Sequence, residues 1–340
     1  MVYIIYHPDS LKHNTGWHPE SASRLKAIMD KLEENGIFED NPLVIPQYAD
    51  LSLIENVHDL DYIKSVEEHC MREIPLDPDT VVSRDSFNAA LASAGGAVKA
   101  TELVLDEGLA FALTRPPGHH AGYRKARGFC LFNNIAIAAR YAQSRGFERI
   151  LIVDWDVHHG NGTQEIFYSD PGVLYFSTHL YPWFPGTGWL DEIGDGDAQG
   201  FNINVPLPPG LNNSDYIYIF KKLLLPISLQ FDPQMIMVSA GMDSYSRDPL
   251  GNMNITSEGF GELASIVSYI ASKTCNRMVL VLEGGYIEED LAKSVHRIII
   301  SLNNQKRISS TDGLNSNVSP EVIERVRLVT SIQKKWWKII

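Results

Sequence analysis

Cysteine is scarce in this chain, and its few thiols are scattered. The 340 residues include three cysteines, Cys70, Cys130 and Cys275, each far from the others in sequence. An odd, dispersed set does not build a disulfide framework, and it lacks the paired spacing of a structural zinc site. We therefore expect a protein of a reducing compartment and predict a cytoplasmic location.

Positive charge and long apolar runs are also in short supply. There are 29 Lys and Arg residues against 42 Asp and Glu residues, which gives a formal net charge of -13. This balance argues against nucleic acid as a partner and suits a cationic peptide or amine better. No apolar run approaches the ~18 residues of a membrane span, and the first residues lack the basic stretch of a secretion signal. We expect neither a nucleic-acid nor a membrane partner.

The chain does contain a regular alternation of apolar runs and amphipathic segments, without a repeat or a linker. This pattern predicts one α/β domain over residues 1–340. Residues 303–317 are predicted to form a polar surface loop, and residues 318–340 a C-terminal helix that begins at about Pro320. Helical spacing and stop signals predict the other helices between Ser21 and Gly36 and at Phe87–Leu105, Ile135–Ser144, Asp215–Leu229, Ser257–Ser272 and Glu289–Leu302.

Chemically capable side chains follow the apolar run Ile150–Val153, which is typical of a buried parallel strand. If the backbone stays extended, Asp154, Asp156 and His158 share one face, because side chains alternate across a strand. Two carboxylates and one imidazole form a ligand set that suits zinc.

Other apolar runs also end in such residues. Ala110–Thr114 is followed by His119 and His120, Val173–Ser177 by His179, Met235–Ser239 by Asp243, and Met278–Leu282 by Glu283–Tyr286. A single His or Asp at a strand end is more often a turn residue than a ligand. Ligands of open α/β sheets, however, bind at the carboxyl ends of the strands, and all these residues fall there. We interpret the convergence as one site.

Seven short blocks contain most of these residues. They are Arg115–Ala121, Gly128–Asn134, Ile150–Gln164, Phe184–Gly188, Ser239–Asp243, Asp248–Gly251 and Glu283–Tyr286. They resemble the signature motifs of the zinc-dependent histone deacetylase family, above all its class II branch and prokaryotic relatives that include the acetylpolyamine amidohydrolases. The likeness runs from His18 to about Leu302. It implies an arginase-like fold with an eight-stranded, mainly parallel sheet flanked by helices, and hydrolysis of an acyl amide on a lysine-like amine.

The resemblance also implies a metal centre. It assigns Asp156, His158 and Asp243 as ligands of one catalytic zinc ion, with an open position for water and the substrate carbonyl. Three protein ligands and one exchangeable position are the usual arrangement of a catalytic zinc. A structural potassium ion is implied behind the zinc, held by Asp154, Asp156 and His158 together with Ser177 and the carbonyl of Thr178.

Different partners are implied for the two adjacent histidines. By resemblance Asp154 pairs with His119, and an anionic partner favours the charged imidazolium. Asn161 pairs with His120 without adding charge, so His120 is predicted to be the general base and then the general acid. Tyr286, which follows two glycines, is predicted to donate its hydroxyl to the oxyanion.

The same likeness predicts a tunnel for the acylated side chain. Gly128, Phe129 and Phe184 match its walls, although Trp183 precedes Phe184 and either ring could belong to the core instead. An apolar slot suits the lysine methylenes, because acylation has removed the charge on nitrogen. Asp79 matches a rim carboxylate that binds the substrate backbone, although a Pro-Asp turn explains its segment nearly as well.

Leu250 bears on the substrate. An acidic residue follows Asp-Pro in one polyamine-specific branch of the family, and this chain has Leu250 there. Other polyamine enzymes of the family carry a long insertion before the Pro-Pro-Gly-His-His block, whereas the segment from Cys70 to Ser86 is short. Both features favour an acetylated lysine in a peptide or protein over an acetylated polyamine.

The main hypothesis is therefore a zinc-dependent deacetylase acting on N-acetyl-lysine. An acetylpolyamine amidohydrolase is the alternative within the same chemistry. A non-catalytic acyl-lysine binding module is the alternative of another class, and Tyr286 disfavours it. A binuclear ureohydrolase of the same fold would need a further carboxylate near Asp243, where Gly241 offers no side chain. The oligomeric state stays open.

Overall fold

The computed structural model describes residues 1–304 and 317–339 of the chain. Eight strands within these ranges form one sheet. The strands are β1 Tyr3–Ile5, β2 Leu43–Val44, β3 Gly108–Ala112, β4 Ile150–Asp154, β5 Val173–Leu180, β6 Asn202–Leu207, β7 Met235–Ala240 and β8 Arg277–Leu282. No described helix is both long enough and apolar enough to cross a membrane.

The sheet has the order β2-β1-β3-β8-β7-β4-β5-β6, and every strand pair is parallel. The α/β architecture expected from the sequence is confirmed, with an all-parallel sheet in place of a mainly parallel one. Parallel pairing brings the carboxyl ends of the central strands to one edge of the sheet. There Asp154 at the end of β4 lies in register with Ser177 on β5 and Ser239 on β7.

Helices flank the sheet. The longer helices are α1 Ala22–Glu34, α4 Leu60–Arg72, α5 Ser86–Leu103, α6 Asn134–Ser144, α10 Ser257–Lys273, α11 Glu288–Asn303 and α12 Pro320–Gln333. The shorter helices are α2 Ile37–Asp40, α3 Leu51–Glu55, α7 Asn161–Phe167, α8 Asn213–Ile219 and α9 Leu225–Phe231.

Both faces of the sheet are buried, which explains the uninterrupted apolar runs. On β4, Leu151 and Val153 belong to one hydrophobic cluster, whereas Ile150 and Ile152 belong to another. The first cluster lies under α1, α10, α11 and α12, and the second under α4, α5 and α6.

Two helix predictions differ from the structure. The continuous helix expected at Asp215–Leu229 is broken between α8 and α9 by a π-helical turn at Phe220–Leu224. Pro226 follows this turn and has no backbone N–H to continue the regular ladder. The C-terminal helix starts at Pro320 as expected but ends at Gln333, well before residue 340. Of the predicted polar loop, Asn303 still belongs to α11, and residues 305–316 lie outside the described residues.

Candidate active site

Three buried ligand groups meet at the carboxyl edge of the sheet. They belong to Asp156, His158 and Asp243, and their ligand atoms all lie within 4.8 Å of one another. His158 Nδ1 is 2.9 Å from Asp243 Oδ2 and 3.2 Å from Asp156 Oδ1. The sequence brings them together because Asp156 and His158 follow β4, while Asp243 follows β7, the neighbour of β4 in the sheet.

Backbone amides fix the two carboxylates. Asp156 Oδ2 accepts a hydrogen bond of 2.9 Å from the Gly284 N–H, and Asp243 Oδ1 accepts one of 2.8 Å from Val157. Glycines make room for both: a Cβ at Gly241 would lie 2.0 Å from Asp156 Oδ2, and one at Gly284 would lie 2.3 Å from Asp243 Oδ2. The backbone is therefore shaped around a compact ligand set.

The charges of this group fit a bound cation. Burial and the neighbouring Asp156 raise the pKa of Asp243 to about 7. Burial opposes protonation of His158, but Asp243 and Asp156 outweigh it and raise the pKa of that imidazole to about 10. Two carboxylates and an imidazole in a space this small suit zinc by donor type, and a cation would relieve the repulsion between the carboxylates.

Asp154 does not complete the ligand set, although strand alternation placed it beside Asp156 and His158. Its Oδ2 accepts hydrogen bonds from His119 Nδ1 at 3.0 Å and from the Tyr175 hydroxyl at 3.0 Å. The compact group takes its third member, Asp243, from the loop after the adjacent strand β7, which alternation along β4 alone does not identify. The assignment of Asp243, implied by the family resemblance, is the one that matches the geometry.

The two histidines after Pro-Pro-Gly have opposite electrostatic surroundings. Burial disfavours a charge on His119, but Asp154 and Asp156 outweigh it and raise its pKa well above the usual range. His120 Nδ1 is bonded to Asn161 Oδ1 at 2.9 Å. Burial, followed by the charges of His119 and His158, lowers the pKa of His120 well below its usual range. These surroundings favour the neutral imidazole, which is the form that can accept a proton.

A cavity of about 410 Å³ opens above these groups. Its lining consists of Asp79, His120, Gly128, Phe129, His158, Trp183, Phe184, Leu250 and Tyr286. The ring of Phe129 is perpendicular to that of Tyr286, with 5.8 Å between centroids, and Phe184 is 5.0 Å from His120. Burial and Asp243 raise the pKa of Tyr286 well above its usual range, so its hydroxyl keeps its proton. The cavity is an apolar slot that ends on a base, a hydroxyl donor and the ligand group.

Each expected site residue has a definite place. Phe129, Phe184, Asp79 and Leu250 line the cavity, and neither Trp183 nor Phe184 is in the core. Gly128 is required there, because a Cβ would lie 2.5 Å from the His120 ring. Ser177 and Thr178 are buried on β5 beside Asp154.

Two buried charged residues that support the site were given no role from the sequence. Glu283 accepts hydrogen bonds from the amides of Gly118 at 2.7 Å and His119 at 3.2 Å, which ties the histidine loop to the end of β8. Arg24 donates to the carbonyls of Glu283 at 2.6 Å and Gly285 at 2.7 Å. For Glu283 the sequence did hold one local signal. This residue directly follows an apolar strand, and a carboxylate buried there needs a hydrogen-bond partner.

The histone deacetylase domain family matches residues 18–302. This chain belongs to the histone deacetylase family. The match covers most of the chain and confirms the resemblance noted in its sequence blocks.

Relatives of this histone deacetylase family member occur in archaea and eukaryotes. A probable deacetylase of Archaeoglobus fulgidus is 42% identical over 292 residues, covering 84% of this chain and 81% of the relative. Histone deacetylase HDA1 of Candida albicans is 35% identical over 94% of this chain, which spans 41% of that relative. Mouse polyamine deacetylase HDAC10 is 37% identical over 88% of this chain and 48% of its own length. A crystal structure of the HDA15 HD domain superposes with a TM-score of 0.90 and 33% identity, covering 99% of this chain and 95% of that domain.

Proposed function

We propose that this histone deacetylase family member is a zinc-dependent hydrolase of N-acetyl-lysine in proteins or peptides. One observation carries the proposal: the Asp156, His158 and Asp243 group lies at the base of an apolar cavity that also presents His120 and Tyr286. This combination supplies a metal position, a base and an oxyanion donor at the end of a slot for an alkyl chain.

The ligand group would provide the electrophilic part of the chemistry. A zinc ion held by these three residues would polarise the acyl carbonyl and lower the pKa of the attacking water toward ~7. His120, kept neutral by its surroundings, accepts the proton of that water and then delivers it to the departing amine. An amine is a poor leaving group unless it is protonated, so the second transfer is as necessary as the first.

Two further residues stabilise the charge that develops. Tyr286 holds its proton and donates its hydroxyl to the carbonyl oxygen as that oxygen becomes negative. His119 keeps a positive charge beside His120, since Asp154 pairs with it at 3.0 Å. This fixed charge keeps the pKa of His120 low between the two proton transfers.

A potassium ion next to Asp154 is part of the same proposal. Register pairing places Ser177 of β5 beside Asp154 of β4. The hydroxyl Oγ1 of Thr178 is buried and has no hydrogen-bond partner among the described residues. Carboxylate, hydroxyl and carbonyl oxygens are hard donors, which suit a hard cation.

Acetylpolyamine hydrolysis is the second candidate function, and one observation favours it. The carboxylate of Asp79 lines the cavity and could pair with a second ammonium group. Leu250, however, lines the same cavity and offers such a group no charge. We therefore rank acetyl-lysine peptides first.

A binding-only module and a binuclear ureohydrolase are both disfavoured by the site itself. A module that only binds acyl-lysine has no use for an oxyanion donor, yet Tyr286 lines the cavity. A second metal would want a carboxylate near Asp243, and Gly241 has no room for any side chain because a Cβ would lie 2.0 Å from Asp156 Oδ2.

An activity panel tests the proposal. Purified full-length protein is compared on acetyl-lysine peptides, longer acyl-lysine peptides, acetylputrescine and acetylspermidine, with Tyr286→Phe as the control for contaminating hydrolases. We expect the highest kcat/KM on acetyl-lysine peptides. A higher kcat/KM on an acetylpolyamine than on every peptide would replace the first candidate by the second.

A further inference from the structure

The C-terminal helix α12 lies beyond residues 18–302, which match the family domain. It is nevertheless built into the body of the protein. Val322, Val326 and Val329 enter the hydrophobic core, and Gln333 Nε2 donates to the Asn202 carbonyl at 3.4 Å. Its position therefore does not depend on the polar residues along its other sides.

One of those polar residues, Arg325, lies over an aromatic ring near the cavity. Its guanidinium carbon is 5.0 Å from the centroid of the Trp189 ring, which is the geometry of a cation–π contact. Within residues 1–304 and 317–339, no carboxylate lies within salt-bridge distance of Arg325. Burial lowers the pKa of this guanidinium, so the cation is partly desolvated, and that strengthens its attraction to the ring.

Trp189 in turn supports the wall segment, which we define as residues 181–189. Its ring packs against that of Tyr181 at an interplanar angle of 39°, with 4.6 Å between centroids. The wall segment carries Trp183 and Phe184, which line the cavity and are 42% and 44% exposed. Trp183 Nε1 donates to the Leu250 carbonyl at 3.0 Å, and the Phe184 ring lies 5.0 Å from that of His120. The ends of the segment are therefore a further support for these two half-exposed side chains.

A second contact joins strand β5 to the wall segment. His179 Nε2 donates to the Gly188 carbonyl at 2.8 Å. Burial lowers the pKa of His179 to about 4, so the ring is neutral and one of its nitrogens carries the proton for this bond. The end of the wall segment is thus held from two elements, at Trp189 by Arg325 of α12 and at Gly188 by His179 of β5, and Glu192 accepts hydrogen bonds from the amides of Gly188 and Trp189.

We propose that Arg325 is a positioning residue for the acyl-lysine cavity: through Trp189 and Tyr181 it holds the aromatic wall formed by Trp183 and Phe184. The inference rests on the proposed function, since the wall is the surface against which the lysine methylenes pack. It extends the substrate-binding apparatus of this chain to a helix outside the family domain.

The test compares two hydroxamates on zinc-loaded full-length protein. One has an alkyl linker long enough to fill the cavity, and the other, acetohydroxamate, reaches only the metal position. We expect Arg325→Ala to weaken the binding of the long hydroxamate about three- to tenfold, the range of one cation–π contact. The binding of acetohydroxamate should be unchanged. KM for an acetyl-lysine peptide rises by a similar factor while kcat is retained. Arg325→Lys, which keeps the charge, restores part of the affinity.

Arg327→Ala is the matched control, because Arg327 lies on the same helix, is 74% exposed and contacts only Glu324 among the ion pairs. Trp189→Ala should reproduce the effect of Arg325→Ala. The double variant should lose no more affinity for the long hydroxamate than Trp189→Ala alone. Three results would overturn the positioning role. They are an equal loss of affinity in Arg327→Ala, equal weakening of the binding of both hydroxamates by Arg325→Ala, and additive losses of affinity in the double variant.

Hydrogen exchange separates this inference from the proposed function, because it requires neither metal nor substrate. We expect faster exchange of amides in residues 181–189 of Arg325→Ala than in the wild type or Arg327→Ala. Faster exchange without any acyl-lysine hydrolysis by the wild type would retain the positioning role and reject the proposed function. Unchanged exchange would reject the positioning role whatever the activity.

Discussion

At the scale of single residues, substitution of Tyr286 tests the proposed catalytic step separately from ligand binding. Tyr286 lines the cavity, and its raised pKa keeps the proton on its hydroxyl, but it does not belong to the ligand group. We expect Tyr286→Phe to bind a hydroxamate almost as tightly as the wild type and to lose about 100-fold or more in kcat, the cost of a missing oxyanion donor. Near-full turnover of an acetyl-lysine peptide by this variant would remove Tyr286 from the mechanism.

In the proposed mechanism, the hydrogen bond from His120 to Asn161 helps to set the protonation of His120. Asn161→Asp keeps the shape of the side chain and replaces the amide by a carboxylate. The negative charge then lies next to His120 Nδ1, which is 2.9 Å from the present amide oxygen. A nearby carboxylate favours the imidazolium, so the pKa of His120 rises. Protonated His120 cannot accept a proton, so the acid limb of kcat/KM should move to higher pH. The measurement is a pH profile of kcat/KM for both proteins, and coincident acid limbs would contradict the role of His120 as base.

Leu250 lines the cavity without a charge, and the proposed preference for acetyl-lysine peptides rests partly on this. Leu250→Glu should raise kcat/KM for acetylspermidine relative to an acetyl-lysine peptide by about two- to tenfold, the range of an ion pair at a partly exposed site. Leu250→Gln is the matched control, because it has nearly the same shape without the charge. If both variants shift the ratio equally, shape rather than charge at this position decides the substrate.

At the scale of elements, the structure predicts opposite effects on stability for alanine at two adjacent glycines of α5. A Cβ at Gly95 would lie 2.0 Å from the Gln47 carbonyl oxygen, whereas one at Gly96 would make ordinary contacts of 3.7 Å with Ile5 and 3.9 Å with Pro46. Gly95→Ala should therefore lower the free energy of unfolding by about 1–3 kcal/mol through overpacking. Gly96→Ala should leave it unchanged or raise it by about 0.5–1 kcal/mol, because alanine favours the helix.

Urea unfolding of the two variants beside the wild type measures this difference. Equal stability changes in both would mean that α5 is not packed as closely against residues 45–49 as the structure has it.

Elements with a strong local signal were predictable from the sequence. Periodicity and caps gave α5, α6, α10 and α11 within a few residues, and apolar runs gave the central strands. The break between α8 and α9 was missed because the periodicity on either side of Pro226 continues without interruption. The early end of α12 was missed because Lys334–Lys338 carries no glycine or proline stop signal.

The parts of the candidate site that lie within a sequence motif were predictable. Residues whose hydrogen-bond partners are distant in sequence were less predictable. Strand alternation grouped Asp154 with Asp156 and His158, because alternation ignores what the neighbouring strand supplies. Arg24 and Glu283 were missed for the same reason. The bonds of Arg24 to the carbonyls of Glu283 and Gly285 join residues more than 250 positions apart, and no local pattern encodes them.

At the scale of the whole molecule, the sheet order assembles the site. β4 and β7 are neighbours and supply the ligand group, while β3 and β8 are neighbours and lead into the histidines and Tyr286. Parallel pairing places all four carboxyl ends at one edge. The chemistry therefore depends on the complete domain and not on any one motif.

Zinc titration of the stripped protein is the decisive measurement for this chemistry. Protein freed of metal by a chelator is reloaded with increasing zinc, and the release of acetate from an acetyl-lysine peptide is followed beside Asp243→Ala. One mononuclear ligand group predicts that activity rises to a plateau at about one zinc ion per chain, and that Asp243→Ala neither retains zinc nor recovers activity. Activity that appears only with two ions per chain, full activity without any metal, or full recovery by Asp243→Ala would contradict the mononuclear mechanism.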